Sequence, residues 1–130
     1  MKKTRDSGCV QFSHQRLQVY EFAAQFYESA HRLGGMIGAN NLAASDQLRR
    51  ASLSICLNIA EGAGEFRPRE KARFYRMARR SASECAAIVE LLERVKASPN
   101  TNFRGLHKML FDIVCMLTGL VLSLERRSTK

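Results

Sequence analysis

The chain has 130 residues, enough for one domain with short tails. Hydrophobic residues make up 45% and charged residues 25%, so a core can be buried and compositional disorder is excluded. Two prolines and no tryptophan argue against a turn-rich sandwich, and 21 Lys plus Arg against 12 Asp plus Glu leave a formal charge of +9 that points to an anionic partner.

Residues 1–12 read as a flexible N-terminal tail. Met1-Lys2-Lys3-Thr4-Arg5-Asp6 is basic, but no apolar signal core follows it, so a cytoplasmic protein with reduced thiols is expected. Cys9, Cys56, Cys85 and Cys115 include no C-x-x-C pair, which argues against a zinc ribbon or a thioredoxin-like site. Cys56, Cys85 and Cys115 fall in apolar helical patterns and are expected to act as small buried hydrophobes.

The first helix runs from about Ser13 to Leu33 and is expected to stop at Gly34-Gly35. Tyr20, Ala23, Tyr27 and Ala30 form one apolar row and Val19, Phe22, Phe26 and Leu33 a second, so this helix faces more than one neighbour.

The second helix begins at Leu42 or Ser45, carries Leu48, Ala51, Ile55 and Ile59 as its stripe, and ends near Ala60. Gly62-Ala63-Gly64 is expected to supply a positive-φ stop. Gln47, Ser54, Asn58 and Glu61 share one face beside that stripe, with Arg50 among them. A groove with Glu61 as base is one reading of these groups. An inter-helix polar network is the favoured one, because a lone Glu without a His, a metal cluster or a nucleophile is thin ground for catalysis.

The third helix starts at Pro68, suited to the first helical position, and runs to about Ala97 before Ser98-Pro99-Asn100 breaks it. A hairpin turn centred near Glu65 would set Glu61 against Arg69, Ser54 against Arg76, Arg50 against Arg80 and Gln47 against Glu84. Ser81 lies in the same polar band. Seven of the chain's 21 basic residues lie between Arg67 and Arg80, and Arg69, Arg73, Arg76 and Arg80 form one stripe along the helix. Guanidinium groups donate forked hydrogen bonds that match phosphate oxygens. A solvated charged face is the plainer alternative.

The fourth helix opens after Thr101 or Asn102, both good N-caps, and places Phe103, Leu106, Leu110, Ile113, Leu117, Leu120 and Leu124 on one seam. Its apolar run from Met109 to Leu124 carries one charge, Asp112, and falls short of the roughly 18 residues that a membrane span needs. No membrane partner is expected. The surplus of apolar surface points instead to a subunit interface through Met116, Leu117 and Val121. His14, His31 and His107 have no metal-ligand spacing, and no Gly-rich phosphate loop follows a strand. No metal or cofactor is expected.

Four helices of similar length with short loops make an all-α, up-down-up-down antiparallel four-helix bundle over residues 13–126, with 127–130 as a C-terminal tail. The string Gln47-Leu48-Arg49-Arg50-Ala51, then Ser54-Ile55, then Asn58-Ile59-Ala60-Glu61-Gly62, resembles the signature of the bacterial 23S rRNA intervening-sequence proteins. Phe12, Leu17, Val19 and Tyr20 fit that family's opening helix, where the aromatic is more often Trp. Phe74, Ala78, Ser81 and Glu84 fit its third helix, although Arg80 stands where the family has Gly. The resemblance implies a ring-shaped homo-oligomer, a pentamer, and brings no catalytic residues with it. A related branch, the accessory protein of diversity-generating retroelements, is a basic pentamer that works with a reverse transcriptase and nucleic acid.

The expectation is a non-enzymatic, homo-oligomeric protein that binds nucleic acid, RNA in preference to DNA, through Arg49, Arg50, Arg69, Arg73, Arg76 and Arg80. Its rival is a protein-interaction adaptor that holds a partner enzyme. A hydrolase or transferase built on Glu61 and Asn58 is a distant third.

Overall fold

A computed structural model describes residues 12–128. The tail expectation for 1–11, with Cys9, and for 129–130 lies outside the described residues. The backbone N–H of Phe12, the first described residue, donates to Gln15 Oε1 at 2.8 Å, opening a 3-10 turn over Ser13–Arg16. Leu17 then turns to an extended conformation (φ −91°, ψ 126°), so the first long helix, α1, starts at Gln18 rather than Ser13. It spans Gln18–Met36 and passes straight through Gly34-Gly35. Its apolar positions make this possible: Val19, Ala23, Phe26, Ala30 and Leu33 are buried on one continuous face, and packing outweighs the glycines' low helix propensity.

A 3-10 turn at Ala39–Asn41 leads into α2, Leu42–Gly64. The expected positive-φ stop does not occur. No glycine among the described residues has positive φ, and α2 runs through Gly62-Ala63-Gly64 before Glu65 becomes extended (ψ 150°). Gly62 has a different role. A Cβ there would lie 2.6 Å from Tyr75 Cε1, so its lack of a side chain lets the buried phenol ring sit against the helix backbone.

Pro68 opens α3, Pro68–Arg94, with Glu70 in the first turn and Arg94 in the last, each complementing the helix dipole. Arg67 is extended (ψ 131°), as a residue preceding proline prefers. The helix ends before the expected Ser98-Pro99-Asn100 break. Lys96 adopts φ 55°, its N–H reaches Glu93 O, and the Ala97 N–H reaches Leu92 O at 3.0 Å. That is a Schellman closure with lysine in the left-handed position that glycine usually takes.

Asn102 caps α4, Phe103–Ser128, its Oδ1 accepting from the Gly105 N–H at 3.0 Å. The helix continues through Arg127 and Ser128, which the sequence assigns to a tail. By length and composition α4 could cross a membrane. Within the fold its stripe from Leu106 through Ile113 and Leu117 to Leu124 is buried.

The described residues thus form four helices and no strand, with neighbours packing in the order α1, α2, α3, α4 and α1 returning to α4. Small residues on α3 (Ala72, Ala78, Ala82, Cys85) let its neighbours approach closely, while Phe26, Leu48, Ile55 and Ile113 fill the centre. Leu117 and Val121, expected between subunits, are 0% and 3% exposed within a single chain. They continue the inner seam and present almost no surface to a neighbour; Met116 is half-buried and packs against the same core. The outer face of α4 carries Phe111, Cys115 and Leu122 instead. Cys56 and Cys85 are buried as expected, whereas Cys115 is exposed.

Candidate nucleic-acid interface

The flank of α3 toward α2 is closed by its own polar groups. Gln47 Nε2 donates to Glu84 at 2.6 Å, the facing pair that the hairpin reading expects. The Ser54 and Ser81 hydroxyls lie 2.9 Å apart, so Ser54 meets Ser81 and not Arg76. Asn58 Nδ2 donates to the Ser54 carbonyl and hydroxyl on its own helix, which makes it a brace behind Ser54 rather than a bridge to α3. Lys71 Nζ donates to the Gly62 and Ala63 carbonyls at 3.1 and 3.0 Å, satisfying the orphan end of α2. Glu61 is exposed and makes no hydrogen bond to Asn58 or Arg69. The partners run in opposite senses along α2 and α3, so this hairpin is antiparallel.

Arg49 and Arg50 do not join the α3 stripe through any bond. Both turn to Asp46 on their own helix, at 2.7 and 3.9 Å. The stripe on α3 is completed from α4 instead. Arg76 pairs with Glu125 at 3.0 Å, and Arg79 donates to Thr118 Oγ1 at 3.2 Å. Arg73 pairs with Glu70 one turn away at 3.1 Å and lies 4.6 Å from the centroid of the Phe74 ring.

Two surface grooves follow this α3–α4 boundary. One, of about 470 Å³, is lined by Arg73, Arg76, Arg79 and Arg80 with Met77 and Val114. The other, of about 410 Å³, holds Arg67, Arg69, Arg73 and Arg76 with Glu70 and Glu125. Arg73 and Arg76 line both, so the two grooves adjoin along one arginine track. Each guanidinium carries five N–H donors; Arg76 and Arg79 each use one, on Glu125 and Thr118, and keep most of theirs free, while Arg73 turns Nε and one terminal nitrogen to Glu70 and the other to Met77 Sδ. The Arg76–Glu125 pair is about half exposed on both sides, so it is weak, on the order of 0–1 kcal/mol. Phosphate oxygens entering the track would find donors already oriented by the protein.

Two features beyond the sequence reading differ in how visible they are. Glu125 and Thr118 lie far along the chain from their partners on α3, at separations of 49 and 39 residues, and no local spacing announces them. Phe66 has a local signal: a large apolar side chain between Glu65 and Arg67, in a connection with no helical face to hide it.

The family described as 23S rRNA-intervening sequence protein matches residues 15–119, and the chain belongs to that family. The matched span covers all of α1, α2 and α3 and most of α4. No match to a curated protein was found.

Proposed function

We propose that this protein binds nucleic acid, RNA in preference to DNA, along the arginine track between α3 and α4. The carrying observation is the cluster of guanidinium groups from Arg67 to Arg80 lining two adjoining grooves, where Glu70 and Glu125 are the acidic lining groups among the described residues. Affinity is mainly electrostatic and only weakly sequence-specific, since phosphate contacts position a nucleic acid without reading it. The family description, which refers to 23S rRNA, supports an RNA-related role. The protein acts by binding and not by catalysis, in the cytoplasm, and the free thiols of Cys56, Cys85 and Cys115 suit that compartment.

The chain works as a homo-oligomer, a pentamer, built from up-down-up-down antiparallel bundles. The supporting surface is the outer face of α4, where Phe111 is 66% and Leu122 50% exposed. Large apolar groups left in water on one helix face mark an association surface. Phe111→Glu with Leu122→Glu should give smaller species in sedimentation. A wild-type monomer at micromolar concentration would defeat the assembly.

The binding test is the double variant Arg73→Ala with Arg76→Ala. Filter binding or anisotropy should show weaker affinity for RNA and DNA alike. The slope of log affinity against log salt should flatten by roughly 0.7 for each single-strand phosphate that the variant no longer neutralises. Equal binding by wild type and variant reduces the track to a solvated face, and an adaptor that docks a partner enzyme then becomes the better account.

A further inference from the structure

Phe66 is the most exposed large apolar side chain among the described residues, at 94%. It stands in the tight connection from α2 to α3, flanked by extended Glu65 and Arg67. A phenyl ring held in water at a hairpin tip forgoes the burial that usually accounts for such a residue. Its surroundings are cationic. Arg67 and Arg69 follow it in sequence and are exposed. Arg16, Lys71, Glu65, Tyr75 and Phe66 line a depression of about 450 Å³. The C-terminal end of α4 reaches the same end of the bundle: Lys71's ammonium is held below its usual range first by burial and then by the Arg127 charge, with Glu65 opposing.

We propose that this tip is a stacking site for an unpaired nucleobase, with the Phe66 ring as the platform and Arg16, Arg67 and Arg69 binding the flanking phosphates. The inference rests on the nucleic-acid reading above and names the class of nucleic acid within it: single-stranded segments, loops or ends. Bases in a duplex already stack on one another and offer no free face, whereas an unpaired base of any identity can lie on an aromatic ring. Lys71 is not among the phosphate ligands, because its ammonium is engaged with the Gly62 and Ala63 carbonyls. The depression beside the ring gives the base an edge to enter, and Arg67, the next residue in the chain, lines a separate groove that holds Arg69, Arg73 and Arg76.

The test compares wild type, Phe66→Ala and Phe66→Trp on a labelled RNA strand of roughly 12 nucleotides and on a blunt RNA duplex of the same length. Phe66→Ala should weaken single-strand binding by roughly 5- to 150-fold and leave duplex affinity and the salt slope unchanged. Phe66→Trp should keep single-strand affinity. Since the chain has no tryptophan of its own, the new indole's emission should be quenched by the single strand and not by the duplex. If Phe66→Ala binds the single strand as wild type does, or weakens on both ligands equally, stacking is overturned while the electrostatic reading stands. Failure of wild type to bind either ligand at low salt removes both proposals. A drop in sedimentation size for Phe66→Ala places the ring between subunits and overturns the stacking site alone.

Discussion

The two flanks of α3 differ in how their polar groups are satisfied. Toward α2, Glu84, Ser81 and Lys71 each meet a defined partner, and the buried Tyr75 ring lies against Gly62. Toward α4, Arg76 and Arg79 each make one bond across the boundary, and Arg69 and Arg80 extend the track with their donors facing solvent. The first flank fixes the hairpin's register and leaves little to offer a ligand. The second leaves donors in surplus, which is a poor way to hold two helices together and a suitable way to hold a polyanion. One helix therefore carries a structural side and a binding side, separated by less than half its circumference.

The largest expected effect comes from Gly62→Ala, on the structural side. In an open helix this change stabilises by up to about 1 kcal/mol. Here the new methyl meets the buried Tyr75 ring, and overpacking should destabilise by about 1–3 kcal/mol. Chemical denaturation reads the sign directly, and a gain in stability would show that the two helices are not in fixed contact.

Alkaline pH should loosen the same inner region. Burial pushes the Cys56 thiol up to about 11 and the Cys85 thiol up to about 12, the latter aided by the Glu84 charge, from an ordinary value of 9.0. The unfolded chain releases these protons first. Stability conferred by the neutral thiols is complete below pH 9 and is lost as pH rises toward the folded values, at up to about 1.4 kcal/mol per pH unit per thiol. Buried Tyr75, also raised, adds to the loss, whereas lowered Lys71 opposes it. Melting temperatures from pH 8 to 10.5 should fall, and Cys85→Ala should fall less steeply. Identical slopes would remove Cys85 from the account.

Ser54→Ala should cost about 1 kcal/mol, because it strips a partner from both Ser81 and Asn58 in a half-buried setting. Asn58→Leu should cost less, since its bonds stay within α2. Thermal melts of the two variants order them, and the reverse order would mean that Asn58 reaches across to α3.

Smallest in stability is Arg76→Ala on the binding side. Its exposed pair with Glu125 should shift unfolding by about 0–1 kcal/mol, while nucleic-acid affinity drops. A large loss of stability would turn this flank into a second structural one and end the contrast.

The same contrast explains what is legible in the sequence. Apolar periodicity marks all four helices, because each must bury a stripe, and it places Leu48, Ile55, Ile113 and Leu117 correctly inside. Glycine misleads twice. Gly34-Gly35 and Gly62-Ala63-Gly64 look like stops by propensity, yet tertiary packing carries both helices through them. The Gln47–Glu84 pair is legible because it lies where the hairpin's symmetry puts it, but Ser54 finds Ser81 because the true register differs from a turn centred on Glu65. Arg49 and Arg50 look like part of the track by charge alone, but Asp46, one turn away, engages them locally. Leu117 and Val121, assigned to a subunit interface from the apolar surplus although Leu117 also lies on the inner seam, show the limit of counting apolar residues. The surplus on α4 is real, but which residues face outward depends on the helix's rotation, and that is set by neighbours far away in sequence.

The close approach of Gly62 and Tyr75 makes two positions into one unit of sequence change. A side chain at 62 meets the ring at 75 first and the Lys71 carbonyl, 3.2 Å away, next, so it needs a smaller residue at 75 and a slight helix shift, and a smaller residue at 75 alone leaves a void. Neither position can drift alone without crossing a less stable intermediate. Among relatives the pair should therefore change together or not at all: glycine with an aromatic ring, or a small side chain with an aliphatic one.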